Sequence, residues 1–218
     1  MKKTVEASAK RPAKALSSEV ATGSRSHRNA NGPRAADRIR ASASELFYRE
    51  GIRAVGVDEV VERAGVTKPS LYRSFASKDD LAAAYMRDYD LDFWEKFENP
   101  GGKSYSDPRE HVLAYIRVLS TRAVRERYRG CGLSNATIEY PARDNPARQV
   151  AEAHKKVFRR RLRELAAGMG ARQPAVLGDA LLLLIEGIYS TGQQSEDGPA
   201  QSAVTVAKLL IDASLAKG

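Results

Sequence analysis

Apolar positions recur at helical spacing along most of the chain. Ile39, Ala43, Leu46 and Phe47 fall at i, i+4, i+7 and i+8, one face of a helix that opens after Arg34. Gly51, after Glu50, reads as its C-terminal stop. Val57, Val60, Val61 and Ala64 predict a second, short helix, ended by Gly65. Thr67 then stands as an N-cap, its hydroxyl placed to accept a bond from a first-turn N–H. Pro69 lies in that first turn, where a missing N–H costs little. Leu71 and Phe75, four apart, face inward. Ser77 and Asp80 form a capping pair for a helix that runs to about Phe97, where "NPGG" closes it.

Beyond it, Asp107 and Pro108 start a helix that reaches about Tyr128, and "RGCGL" breaks it. A short element covers about 134–140. Asn145 and Pro146 open a long basic helix to about Ala167, followed by the loop "GMGARQP". Leu177, Leu181, Leu184, Ile185 and Ile188 mark a helix from about 174 to 194; "SEDGP" is a turn; the last helix covers 200–216. There is no alternating strand pattern and no repeat at a solenoid period. The expected fold is all-α, with about nine helices.

Residues 1–33 break the pattern. After Met1 they contain no Phe, Tyr, Trp, Ile or Met, and seven Lys or Arg face two Glu. Such a segment cannot offset its ordering entropy by burial and is expected to be a flexible basic tail. It reads either as an inert extension or as an arm that follows DNA backbone or enters a minor groove. Its composition also suits a transit peptide.

Charge and composition narrow the partners. The chain of 218 residues carries +9, which favours an anionic partner, nucleic acid before a membrane surface. The longest apolar run, 180–185, is far short of the roughly 20 residues of a membrane span, and the N-terminus lacks the apolar stretch of a secretory signal. One cysteine, Cys131, allows no internal disulfide, and a reducing cytoplasm is the expected compartment. His27, His111 and His154 are too scattered for a metal site, so neither metal nor cofactor is expected. No phosphate loop, HExxH or GxSxG occurs, and an enzyme is not expected.

Two short helices joined through Gly65 have the spacing of a helix-turn-helix. With Leu71 and Phe75 inward, the outer face of the second helix is small and polar enough for a major groove. The stretch 46–85, "LFYREGIRAVGVDEVVERAGVTKPSLYRSFASKDDLAAAY", resembles the DNA-binding domain of TetR-family transcriptional regulators. The likeness covers about 50 residues. It includes the phenylalanine of the first helix, the AGV turn, the LYxxF core and the following SKxxL.

The resemblance implies a three-helix DNA-binding domain over 34–80 and a helical effector-binding and dimerising domain over 81–218. It places Thr67, Lys68, Pro69, Ser70, Tyr72, Arg73 and Ser74 on the recognition helix. Lys68 and Ser70 are then candidates for base edges, and Tyr72 and Lys78 for backbone phosphates. Gly56 stands where many members have a threonine, so the second helix has no capping hydroxyl to offer a phosphate. Asp58 brings negative charge near the DNA and suits its helix dipole instead.

For the second domain the resemblance implies a cavity for a small effector. Candidate pocket residues are Tyr89, Phe93, Trp94, Tyr115, Cys131, Asn135, Glu139, Tyr140, His154 and Phe158. The aromatic ones also suit plain packing. Cys131 reads as a small buried residue, or as a redox or electrophile sensor activated by Arg127 and Arg129. The helices at 174–194 and 200–216, the first apolar nearly all round, are the expected homodimer surface. The implied function is a dimeric regulator, a repressor released from a pseudo-palindromic double-stranded operator by its effector. The alternatives are a non-specific DNA-compacting or membrane-surface protein, a helical enzyme carrying an incidental helix-turn-helix, and a sensor acting through Cys131.

Overall fold

The computed structural model describes residues 34–192 and 198–215; the expected basic tail lies outside them. Among the described residues the fold is all-α, with nine α-helices and no strand. The first three are α1 (Ala35–Glu50), α2 (Val57–Ala64) and α3 (Lys68–Ser74), and α4 (Lys78–Glu98) follows them. Then come α5 (Pro108–Ala123), α6 (Gly132–Glu139), α7 (Pro146–Gly168), α8 (Pro174–Thr191) and α9 (Ala203–Leu215). Short 3-10 turns stand at Pro100–Gly102 and Pro199–Ser202.

The helix starts follow local chemistry. Ser77 Oγ accepts from the Asp80 N–H at 3.0 Å, and Asp107 Oδ1 accepts from the Arg109 N–H at 2.9 Å. Asn145 Oδ1 accepts from the Ala147 and Arg148 N–H groups, so all three of these side-chain caps satisfy otherwise orphaned donors. Thr67 departs from its expected role. It is the N-cap of α3 by backbone position, but its hydroxyl lies 3.1 Å from the Ser70 hydroxyl and bonds no backbone N–H.

Two boundaries also differ from the pattern. Helix α5 stops at Ala123, not near Tyr128. Past Val124 the Arg125 N–H bonds the Arg122 carbonyl in a tight turn, and Arg127 adopts a left-handed φ of 64°, which no α-helix can continue. Helix α6 starts at Gly132, two residues early, because Cys131 already serves as its N-cap.

In the N-terminal part, Ile39, Ala43, Leu46 and Phe47 of α1 are buried with Val60, Val61, Leu71 and Leu81. Gly65 makes the helix-turn-helix corner with φ 59° and ψ 43°, and the N–H of Val66 returns to the Val61 carbonyl. The core is continuous along the chain, and helix α4 runs from this part of it to the part where it packs on α7. In the C-terminal part α7 lies along α8, and α9 packs on α5 and α8.

The α7–α8 contact is close because α8 carries Gly178 there. A Cβ built at Gly178 would stand 2.7 Å from Arg163 Cα. One residue on, Asp179 receives Arg159 and Arg163 together at 2.6–2.9 Å, and these two guanidinium groups hold its carboxyl well below the usual range. Helix α8 also has the length and mean hydropathy (1.3) of a membrane span, although its longest unbroken apolar run is short. Gly178→Ala is expected to destabilise the fold. Overpacking costs about 1–3 kcal/mol and the helix-propensity gain returns about 1 kcal/mol. The check is the midpoint of denaturant unfolding, which should fall.

Candidate DNA-recognition face and effector cleft

Helix α3 presents the side chains expected of it. Thr67, Lys68, Pro69, Tyr72, Arg73 and Ser74 are exposed, Tyr72 by 50%, and Ser70 is half-buried; Leu71 is fully buried and Phe75 partly so. A chain of polar groups runs along this face. Arg73 Nη2 donates to Ser70 Oγ at 2.8 Å, and Ser74 Oγ donates to the Ser70 carbonyl at 3.3 Å. Lys68 is not free. Its ammonium forms an ion pair with Asp58 of α2 at 2.7 Å, which raises the lysine pKa by hydrogen bonding. Lys78 donates to the Arg53 carbonyl at 3.2 Å, and partial burial lowers its pKa. At rest its charge therefore points back to the loop between α1 and α2.

Eight of the ten candidate pocket residues fall into three places, and Tyr140 and Cys131 line none of them. Phe93, Trp94, Tyr115, His154 and Phe158 come together with Phe97 in one aromatic cluster, ring centroids 4.4–6.2 Å apart. Asn135 and Glu139 flank a smaller cleft of about 260 Å³ beside α1. Asn135 donates to the Arg129 carbonyl at 2.8 Å. Glu139 accepts the Arg53 N–H at 2.9 Å and so ties α6 to the α1–α2 loop. Tyr140 caps α6, and its carbonyl accepts from Arg148 at 2.6 Å. Cys131 is buried.

Tyr89 belongs to the third place, a cleft of about 510 Å³ between α1, α4 and the α5–α6 turn. Tyr48, Tyr85 and Tyr89 form its aromatic wall; Tyr48 and Tyr89 stack at 6.2 Å, and Tyr85 meets Tyr89 edge-on at 6.1 Å. Tyr48 Oη accepts the Arg129 N–H at 3.1 Å and donates to the Gly130 carbonyl at 3.2 Å. The DNA-binding part is thereby fastened to the α5–α6 turn. Arg122 also lines this cleft, and sequence reasoning missed it. A signal existed, since Tyr115, Leu119 and Arg122 share the i, i+4, i+7 inner stripe of α5.

Within the aromatic cluster, His154 Nδ1 lies 2.6 Å from Asp90 Oδ1, and its Nε2 is buried with no hydrogen-bond partner. Burial pushes the imidazole below its ordinary value and outweighs Asp90, which raises it; Lys155 lowers it and Glu186 raises it. This matches a neutral ring whose Nδ1–H donates to Asp90. Among the described residues no group of three His, Cys, Asp or Glu could hold a metal ion.

The face and the clefts together define a helix-turn-helix regulator with a helical second domain. Residues 39–85 match the family model for bacterial regulatory proteins of the tetR family. Over 46 residues the chain is 48% identical to the transcriptional activator FasR of Mycolicibacterium smegmatis, spanning only 21% of either protein. It is 26% identical over 156 residues to the HTH-type regulator YxaF of Bacillus subtilis, covering 69% of this chain and 81% of that one. The crystal structure of a TetR-family regulator from Streptomyces coelicolor matches with a TM-score of 0.77 at 28% identity, over 84% of this chain and 96% of that one. The chain thus resembles TetR-family transcriptional regulators, in sequence over its helix-turn-helix part and in fold over most of its length.

A depressed imidazole pKa has a signed consequence. Between that value and the ordinary one of about 6.5, the unfolded state binds more protons than the folded state, so stability rises with pH across the window. The melting temperature is expected to drop as pH falls below about 6.5, and His154→Gln should flatten that slope. Thermal unfolding from about pH 8 to about pH 5 measures both.

Proposed function

We propose that this regulator binds a specific pseudo-palindromic operator as a homodimer and represses until a small effector releases it. The observation that carries the reading is the α3 face. A seven-residue helix, fixed by Leu71 on one side, offers Lys68, Ser70, Tyr72 and Arg73 on the other. Lys68 can donate to guanine O6 or N7 once it leaves Asp58, and Tyr72 Oη suits a phosphate. Lys78 would reach a phosphate by leaving the Arg53 carbonyl. Effector control needs only that the effector bind the two conformations unequally. The cytoplasm is the compartment that suits this role.

Dimerisation is supported by what α8 and α9 leave uncovered. Val176, Ala180, Leu183, Gly187 and Ser190 repeat every three or four residues along α8, and Val206, Leu209 and Ala213 do so along α9. Leu183 is 73% and Leu209 64% exposed. Val176, Ala180 and Ala213 border one groove between the two helices, so the stripes adjoin. A Cβ at Gly187 would meet nothing within 4 Å, although glycine there costs the helix about 1 kcal/mol against alanine. A partner helix approaching closely would account for it. Such a four-helix bundle would set two recognition helices about 34–36 Å apart, one turn of DNA. A burial as complete as that of Cys131 favours packing over sensing for its thiol.

Selection from a random DNA pool should recover one palindromic family. Affinity for it should fall with salt at a log–log slope of about −7 if about eight phosphates are contacted. Equal affinity for random DNA would reject the reading in favour of a non-specific basic protein. Lys68→Ala with Tyr72→Phe should abolish operator binding while helicity and dimer mass stay unchanged; unaltered DNA affinity rejects those roles.

Leu183→Glu should convert the dimer to monomer in sedimentation and weaken operator binding. Gly187→Ala should stabilise the protomer by up to about 1 kcal/mol and yet weaken the dimer. A mass that stays dimeric in both variants places the interface elsewhere.

A further inference from the structure

Among the described residues, the charges around the 510 Å³ cleft leave one cation, Arg122, without an acidic partner. Lys96 pairs with Asp92 at 2.5 Å, and Arg49 shares Glu45 with Arg63. Arg127 is near Glu126 at 3.6 Å, both strongly exposed. Arg122 makes no ion pair among the described residues, and its Nε is buried without a hydrogen bond. It lies 5.9 Å over the Tyr128 ring, and the buried Tyr128 hydroxyl, which makes no hydrogen bond of normal geometry, offers it only a weak neutral contact. The phenols around it cannot act as counter-ions. Burial raises Tyr89, Tyr115, Tyr128 and Tyr189, so they stay protonated at neutral pH. Tyr115 and Tyr189 moreover bond each other at 2.5 Å.

A part-buried guanidinium with no anion beside it is unfavourable, and a bound anion relieves it. Arg122 and Lys96 also line a second cleft of about 260 Å³, so the two openings meet at this cation. The turn that brings Arg127 to the mouth holds it at a φ of 64°, a conformation that costs energy for a side-chain-bearing residue.

We propose that this cleft binds a small organic carboxylate with a flat apolar body, its carboxylate held by Arg122 and its body against Tyr48, Tyr85 and Tyr89. The proposal rests on the reading of the chain as an effector-responsive regulator and names the effector's chemistry. A planar guanidinium matches a carboxylate's two oxygens, and the aromatic wall favours a flat partner. The volume lies within the range of small-molecule sites. A neutral ligand would leave Arg122 unpaired. Coupling to DNA follows from Tyr48, which bridges α1 to Arg129 and Gly130 across the cleft. A ligand that parts these walls strains that bridge and moves the helix that carries the helix-turn-helix.

The test uses the full chain with benzoate, phenylacetate, cinnamate and octanoate, each beside its neutral amide. Calorimetric titration and melting curves are read for the wild type, Arg122→Gln and Arg122→Lys. At least one aromatic carboxylate should bind and raise the melting temperature while its amide does not. Arg122→Gln should weaken it by about 10- to 100-fold, the worth of a charged hydrogen bond, and Arg122→Lys by less. Tyr48→Phe keeps the ring but removes the bridge, so release from the selected operator should be blunted even at saturating ligand. The proposal falls if acid and amide bind alike, if no aromatic carboxylate binds at millimolar concentration, or if Arg122→Gln binds as tightly as the wild type. Operator binding without ligand is measured in parallel. If it persists while carboxylate selectivity fails, only this proposal is overturned. If the wild type selects no DNA, the wider reading fails instead.

Discussion

Helix α4 is buried at both ends, and by different partners. Its first turns place Leu81, Ala82 and Met86 in the core with α1, where Tyr85 meets Phe47 edge-on at 5.7 Å. Its last turns place Phe93 and Phe97 among Tyr115 and Phe158. At 1.5 Å per residue its 21 residues form a rod about 31 Å long. Close-packed interiors transmit displacement instead of absorbing it. A change at the far end therefore reaches α1, and α1 is what α2 and α3 pack upon. The smaller ties from Tyr48 and Glu139 run parallel to this rod and restrain the same elements.

How much of this was legible depended on range. Helix starts at Ser77, Asp107 and Asn145 could be read from the sequence because each cap is settled within three residues. The end of α5 could not. Nothing in "RERYRG" announces that Arg127 takes a left-handed conformation; that is imposed where the chain turns back toward Tyr48. The hydroxyl of Thr67 was misjudged for a similar reason, since Ser70 competes for it on the same face.

The outer face of α3 was legible as a set of mostly exposed positions, because Leu71 fixes the helix phase. Its electrostatics were not, since the Lys68–Asp58 pair joins two helices across the turn. The proposed effector region was less readable still. Aromatic spacing on α4 and α7 found a cluster that is largely packed, whereas the open cleft draws on α1, α4 and the α5–α6 turn, far apart in sequence. Its most informative residue, Arg122, is defined by lacking a partner, and a missing partner is visible only once every neighbour has been placed.

The ion pair between Lys68 and Asp58 also bears on which DNA the protein tolerates. Asp58 acts as a built-in counter-ion: it occupies the lysine in the free protein and faces the polyanion when the lysine leaves. A random sequence would offer Lys68 only diffuse phosphate charge, which an aspartate at contact distance already supplies, and would repel the carboxylate as well. A base edge in the right place offers directed acceptors. If Lys68 reads the proposed operator, the pair would lower the background of indiscriminate docking for a chain with a formal charge of +9, at some cost in affinity for that operator.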